Sequence, residues 1–436
     1  MREMKDSGLK WVGEIPTTWN VCKVKYVATS NTEVLPENFD SDTEIDYIEI
    51  GSVTYEGGVN STERMKFENA PSRARRMVHE GDTIISTVRT YLKVIAYIDY
   101  TLANKIASTG FSVISPRKGV NNKYIYYALS THSFISDVEA HSVGISYPAI
   151  NNSNLMNLKF VIPSTVEQKR IADYLDSKCS KLDEIIEKQQ AIIEKLKEYK
   201  LSVITEVVTK GLNANAEMKD SGVEWLGKYP AHWQYLSFKN VLLERNEKNI
   251  PVKTEERLSL SIDKGVTLYA EKTTNLDRFK DDVSQYKLAH EGDLVLNSMN
   301  MIVGAVGVSE YFGCVSPAYY TYYDTEEDHI TTKYCEYLLR CKTMRKVLYS
   351  LGKGIMSIDR GDDKINTCRL KVSRNDLRAL KIPVPPVEEQ RDIVKYLVHK
   401  EQIIDKTISD REYAIAKLQE YKKSLIYEVV TGKKEV

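Results

Sequence analysis

Residues 165–209 read TVEQKRIADYLDSKCSKLDEIIEKQQAIIEKLKEYKLSVITEVVT, and residues 387–431 read VEEQRDIVKYLVHKEQIIDKTISDREYAIAKLQEYKKSLIYEVVT. Neither stretch contains Gly or Pro, so each predicts one uninterrupted helix of up to ~68 Å. In the first, Leu182, Ile185, Gln189, Ile192, Leu196, Tyr199 and Val203 step by three and four, which is a heptad seam. Ile404, Thr407, Arg411, Ala414, Leu418, Tyr421 and Leu425 hold the matching places in the second. A helix with one apolar stripe needs a partner for it, and two near-copies in one chain are the obvious partners. Pro163 and Pro383, Pro385 and Pro386 stand before the helices, and Gly211 and Gly432 follow them as stops.

The duplication extends outward from these helices. MKDSGLKWVGEIPTTW (4–19) returns as MKDSGVEWLGKYPAHW (218–233), and these copies hold all four tryptophans, Trp11, Trp19, Trp225 and Trp233. HEGDTIIS (79–86) returns as HEGDLVLN (290–297), NNKYIYYALS (121–130) as TTKYCEYLLR (331–340), and LKFVIPSTVEQ (158–168) as LKIPVPPVEEQ (380–390). The period of about 215 residues is too long for a solenoid and fits two domains, each followed by a helix. The expected division is 1–160 and 214–380 for the globular domains, with 161–213 and 381–436 for the helices. DYIEIGSVTY (46–55), DTIISTV (82–88), KVIAYI (93–98) and FSVIS (111–115) read as strands, and 122–141 as a helix. In the second half DLVLNSM (293–299), GAVGVS (304–309) and YYTYY (319–323) read as strands, with a helix over about 332–351. The fold class is α+β: two globular α/β domains in pseudo-twofold tandem repeat, separated by two long α-helices forming an antiparallel coiled coil. Under such a twofold, Gln189 and Arg411 face each other near the axis and fix the register.

Composition narrows the function classes. Of 436 residues, 42% are hydrophobic and 28% charged, enough apolar material for real cores. No run of ~20 apolar residues exists and MREMKDSGLK has no apolar leader, so the expectation is a cytoplasmic chain with no membrane partner. The six cysteines form no CxxC pair, which argues against disulfides and zinc. Phosphate-loop, dinucleotide, zinc-protease and serine-hydrolase motifs do not occur, nor does the tetrapeptide of amino-methyltransferases. The expectation is no catalytic, metal or cofactor site. The HEGD copies read as turns before a strand, with Asp82 and Asp293 as turn caps.

Lys+Arg and Asp+Glu balance at 61 each, but their distribution is uneven. Residues 31–63 carry nine acidic residues and no Lys or Arg, whereas 64–118 carry ten basic against four acidic. Residues 340–374 hold ten basic against three acidic. One basic stretch per repeat points to a two-site polyanion binder. The repeated frame also diverges in two places: STVRTYLKV (86–94) against NSMNMIVGA (297–305), and GISYPAINNSNL (144–155) against GIMSIDRGDDKINTCRLKVSRNDL (354–377). Candidate DNA-contacting residues are Arg73, Arg75, Arg76, Arg89, Tyr91, Lys93, Lys105, Ser146 and Tyr147 in the first half. In the second they are Asn297, Asn300, Lys353, Arg360, Lys364 and Arg369.

Taken together, duplicated MKDSGxxWxGxxPxxW, HEGD before an apolar strand, LKxxxP…EQ entering a long helix and KLxEYKxSxIxEVVT closing it resemble the specificity subunit of type I restriction–modification enzymes. The resemblance spans both halves in order. It implies two target recognition domains, each reading half of a split double-stranded DNA sequence, and a helical rod that spaces them. It implies no catalysis in this chain. The partners it implies are two methyltransferase subunits using S-adenosylmethionine, and restriction subunits using ATP and Mg to translocate and cleave DNA. Four residues added to the rod would then move one end by ~6 Å, near two base-pair steps. The Trp segments are expected to pack on the rod ends, or else to join exposed rod faces such as 195–199 and 417–421 in docking the methyltransferase. Two rivals are a coiled-coil scaffold with no DNA role and a stand-alone nuclease or methyltransferase.

Overall fold

The structure is a computed structural model, and it describes residues 2–54, 58–271, 282–325, 328–355 and 369–436. The chain forms two compact units, one of residues 1–189 with 412–436 and one of 190–411. Each long helix therefore contributes to both units. The boundary falls within the helices rather than between domain and helix, because helix ends complete the domain cores.

In the first unit a strand entering the domain (Asn20–Lys23) pairs antiparallel with the strand leaving it (Lys159–Ile162). Between them lies a four-stranded sheet in the order Ala28–Ser30, Phe111–Pro116, Thr83–Ser86, Ile95–Tyr97. A second four-stranded sheet is built from Glu63–Lys66, Glu44–Ile48, Ile106–Ser108 and Ala74–Met77, its middle pair parallel. The helix expected over 122–141 is two, Asn122–Leu129 and His132–Ala140. Thr131 accepts the Phe134 N–H and starts the second as an N-cap would.

The second unit repeats this frame. Gln234–Ser237 pairs with Lys381–Val384, and the sheet order is Leu243–Arg245, Tyr319–Tyr323, Leu294–Asn297, Val306–Val308. The helix expected over 332–351 again divides, into Ile330–Arg340 and Lys342–Leu351. The long helices run Thr165–Lys210 and Val387–Val430, and Gly211 and Gly432 follow both with φ +75°.

In unit 1 the core joins Val12, Ile15 and Trp19 to Ile171 and Leu175 of the first helix and to Leu425 and Val429 of the second. In unit 2 it joins Trp233 to Ile204, Val207, Ile393 and Leu397. The Trp19 indole N–H donates to Glu167 at 3.3 Å, and the Trp233 indole to Glu389 at 3.0 Å. The Tyr124 hydroxyl donates to the Val161 carbonyl (2.7 Å) and lies 3.4 Å from that of Val430. The hydroxyl of its counterpart Tyr334 lies 3.0 Å from the carbonyl oxygens of both Val208 and Pro383, which share its one proton. A buried phenol thus closes the carbonyl end of a long helix in each unit, where intrahelical partners run out.

Within each unit the helical segments run antiparallel. In unit 1, Glu167 and Gly432 meet at Trp19 while Lys422 pairs with Asp183 at 2.7 Å. In unit 2, Gly211 abuts Glu389 while Lys200 pairs with Asp405 at 2.8 Å and Glu401 at 3.1 Å. The seam differs in phase from the expected one. Leu182, Gln189, Leu196 and Val203 lie on it, as do Ile404, Arg411, Leu418 and Leu425. Ile185 (43% exposed), Tyr199 (50%), Ala414 and Tyr421 (52%) point outward, and Ile186, Ile193, Lys200, Ile415 and Lys422 take the alternate inward places, so Ile192 yields to Ile193. The sequence has doublets at these steps, and either member satisfies a 3–4 spacing.

Candidate nucleic-acid interface

In unit 1, two divergent loops meet at one edge of the sheet containing Thr83–Ser86. The first runs from Val88 through a turn at Thr90–Leu92, and Arg89 and Lys93 both hold left-handed backbone, φ 50° and 56°. The second is a five-residue hairpin over 144–148, closed by Val143 N–H to Ala149 O (2.9 Å) and the reverse bond (3.0 Å). Its foot is tied to the first loop by a Val88–Ala149 bridge, by Ile150 N–H to Thr87 O (2.9 Å), and by Thr90 Oγ1 donating to Ser142 Oγ (2.8 Å). Arg89, Tyr91, Ser146 and Tyr147, far apart in sequence, are thereby brought together and exposed. The Arg89 guanidinium stands 5.1 Å from the Tyr147 ring centroid, a cation–π contact. Lys93 reaches down to Glu139 at 3.3 Å. Val143 and Ile145, which the sequence reading did not single out, are exposed on the same hairpin.

The other first-half candidates lie on or beside the second sheet, where each has a partner within the chain. Arg73 bonds the Tyr47 hydroxyl (3.1 Å) and pairs with Glu49, and the Tyr47 bond first among causes holds its guanidinium above the ordinary arginine value. Lys105 pairs with Asp46 at 3.3 Å, Arg76 bonds Asn31 at 2.8 Å, and Arg75 stacks 4.8 Å over the Phe67 ring. Burial lowers the Arg76 pKa. Arg64 and Lys66 pair with Glu44 and Asp42 at 2.6 and 2.9 Å. The acidic and basic stretches are therefore opposite sides of one pairing pattern, since Glu44–Ile48 lies antiparallel to Glu63–Lys66. For Arg64, Lys66, Arg73 and Lys105, segregation along the chain becomes pairing in space.

In unit 2, Asn297 is 7% exposed and its Oδ1 accepts the N–H groups of Met299 (3.1 Å) and Asn300 (3.3 Å). It caps a turn, which corrects its reading as a base contact; Asn300 beside it is exposed. Gly352–Ile355 and Arg369–Val372 form a hairpin whose second strand is fixed by Val372 N–H to Ser298 O at 3.0 Å. This anchor matches Ile150 on Thr87, so both domains raise a hairpin from the same place in the frame. Lys353 on that hairpin pairs with Asp376 at 2.9 Å. Arg360 and Lys364, and the side chain of Arg369, lie outside the described residues.

The HEGD motifs close turns: Asp82 accepts the His79 N–H and Asp293 the His290 N–H, each at 2.8 Å. Burial, the largest cause, raises the Asp82 carboxyl above its usual range. Among the described residues no group of three His, Cys, Asp or Glu is placed to hold a metal, and no helix is long and apolar enough to cross a membrane. Unit 2 also has a cavity of about 1130 Å³ where the tail of the first long helix (Leu201, Thr205) faces Trp225 and the Lys342, Arg345 and Lys346 side of a short helix.

Comparison with known proteins agrees with this architecture. Residues 16–198 match the family described as type I restriction modification DNA specificity domain. The type I restriction enzyme MjaX specificity subunit of Methanocaldococcus jannaschii is 23% identical over 97% of this chain and 95% of its own length. The MjaIX specificity subunit of the same organism is 28% identical over 42% of this chain and 43% of its own. A chain from a solved type I R-M system shares the fold with a TM-score of 0.71, at 20% identity over 96% of this chain and 99% of that one. The HsdS subunit from Thermoanaerobacter tengcongensis gives 0.52, at 21% identity over 96% and 98%. The fold class is that of a duplicated α+β protein with two long helices. Residues 16–198 are thus similar to that specificity domain, and the chain is similar along nearly its whole length to a specificity subunit of a type I restriction enzyme.

Proposed function

We propose that this chain is the DNA-specificity subunit of a type I restriction–modification complex, with each half recognising one part of a bipartite DNA target. The observation that carries this is the pair of unlike hairpins on one repeated frame, tied at Thr87 in the first half and at Ser298 in the second. A frame that repeats while its projecting loops do not suits two readers of different sequences. In the first half the reading edge is Arg89, Tyr91, Ser146 and Tyr147. In the second it is Asn300 with the paired strands Gly352–Ile355 and Arg369–Val372, and Arg360, Lys364 and Arg369 are the candidate contacts in the sequence there. Arg73, Arg75, Arg76, Lys93, Lys105 and Lys353 act in support, through phosphates or through their present partners.

The chain serves as the non-catalytic member of the complex. It seats two methyltransferase subunits, which bring S-adenosylmethionine and methylate adenine. Through them it joins restriction subunits, which bring ATP and Mg. The long helices set the spacing between half-sites, with Gln189 and Arg411 at the register point, and the complex works in the cytoplasm.

Mapping methylated adenines in cells that express this chain with its methyltransferase tests the proposal. The expected result is one split sequence with a constant gap. Duplex binding by the assembled complex is expected to be sequence-selective and to weaken steeply with salt. Adenine methylation that does not depend on this chain, or binding indifferent to sequence, would favour the scaffold reading instead.

A further inference from the structure

Ile145 stands fully exposed on the 144–148 hairpin and is buried by none of the described residues. The hairpin is shaped by backbone bonds rather than by its side chains. Gly144 takes φ +118°, where an added Cβ would lie 3.1 Å from the Tyr147 carbonyl oxygen, so the turn needs glycine. The Val143–Ala149 pair of hydrogen bonds and the Thr90 N–H to Pro148 O bond (3.3 Å) hold the loop to the neighbouring turn. Val143, Ile145 and Tyr147 all face outward, so none of them stabilises the loop by burial. Tyr91 and Leu92 on the tied neighbouring turn are also exposed, and the Arg89 guanidinium stands over Tyr147.

We propose that Ile145 is a specificity-determining base contact: it seats its side chain against a thymine methyl group in the major groove of the first half-site. This rests on the DNA-reading function proposed above and adds a residue and a contact chemistry to it. The shape selects the groove. The 143–149 hairpin, closed at Val143 and Ala149, is a two-chain ribbon, a form that a groove ~12 Å wide admits and one of ~6 Å does not. The chemistry selects the feature. In the major groove the thymine C5-methyl is the apolar mark among hydrogen-bonding edges, and an aliphatic side chain is what reads it. The cation at the rim meets the phosphates that border such a groove.

The test uses the complex of this chain with its methyltransferase subunits and duplexes carrying the mapped target. Each thymine of the first half-site is replaced in turn by deoxyuridine, which removes the methyl and keeps every hydrogen bond. At one position the native complex is expected to bind roughly threefold to tenfold more weakly. Ile145→Ala is expected to lose a similar factor on the thymine duplex and to be indifferent to uridine at that position. A scan with no sensitive position, an equal uridine effect in native and Ile145→Ala complexes, or a half-site without an A·T pair would each overturn the inference. Arg89→Ala separates the two levels. If it abolishes first-half selectivity while the uridine scan is flat, only the methyl contact fails; if both variants keep full selectivity, reading by this edge fails as well.

Discussion

Arg89 occupies left-handed backbone, which costs an L-residue with a Cβ about 1 kcal/mol. Its repeat counterpart region uses Gly304 at φ +100° two turns of sequence later, where Lys93 sits in the first half. A strained, exposed cation beside Tyr147 is what a binding edge retains and a merely structural loop discards. Arg89→Gly is therefore expected to leave thermal stability unchanged or raise it by up to about 1 kcal/mol, while first-half sequence selectivity falls at least tenfold. Calorimetry and duplex competition measure the two quantities. At this scale legibility was uneven. Arg89 and Tyr147 stand out as candidates because their loops diverge between the repeats, but that the two share one exposed tip is a tertiary fact. Asn297 was misread, because a side chain that bonds its own turn and one that bonds a base look alike in sequence. Ile145 gave no signal, because an apolar residue is ordinarily taken for core.

The long helices were readable in extent to within a residue or two, since absence of Gly and Pro and a 3–4 repeat are local properties. Their phase was not. Ile185–Ile186, Ile192–Ile193 and Tyr199–Lys200 offer either face, and contacts between distant segments choose. Lys200 turns in because Asp405 and Glu401 meet its ammonium, and Lys422, 222 residues later, turns in to Asp183. Lys200→Glu places like charges together and is expected to cost unit 2 about 1–2 kcal/mol. Asp405→Lys in the same chain is expected to restore about half of that, because Glu401 still faces the carboxylate introduced at position 200. Urea unfolding of the single and double variants checks the antiparallel register; no rescue by the double variant would contradict it.

For the molecule as a whole, duplication implies modularity. Replacing residues 21–157 with the corresponding segment of another specificity chain is expected to change one half-site and to keep both the other half-site and the gap. Inserting one heptad into each long helix preserves the seam and adds ~10 Å, so the gap is expected to grow by about three base pairs with both half-sites intact. Methylated-adenine maps report both outcomes. Loss of both half-sites on exchange, or an unchanged gap on insertion, would refute modular reading or the helical spacer respectively.

By itself the sequence determined the duplication, the order of elements, the helix limits and the family resemblance, because each is written in residues near one another or in plain repetition. Only the tertiary structure decided which seam faces inward, that the acidic and basic stretches cancel across a strand pair, that helix tails complete the domain cores at Trp19 and Trp233, and which loops share an edge. Those outcomes depend on contacts between residues tens to hundreds of positions apart. Pairing, burial and capping are settled there by which partner a side chain meets, and no local pattern specifies the partner.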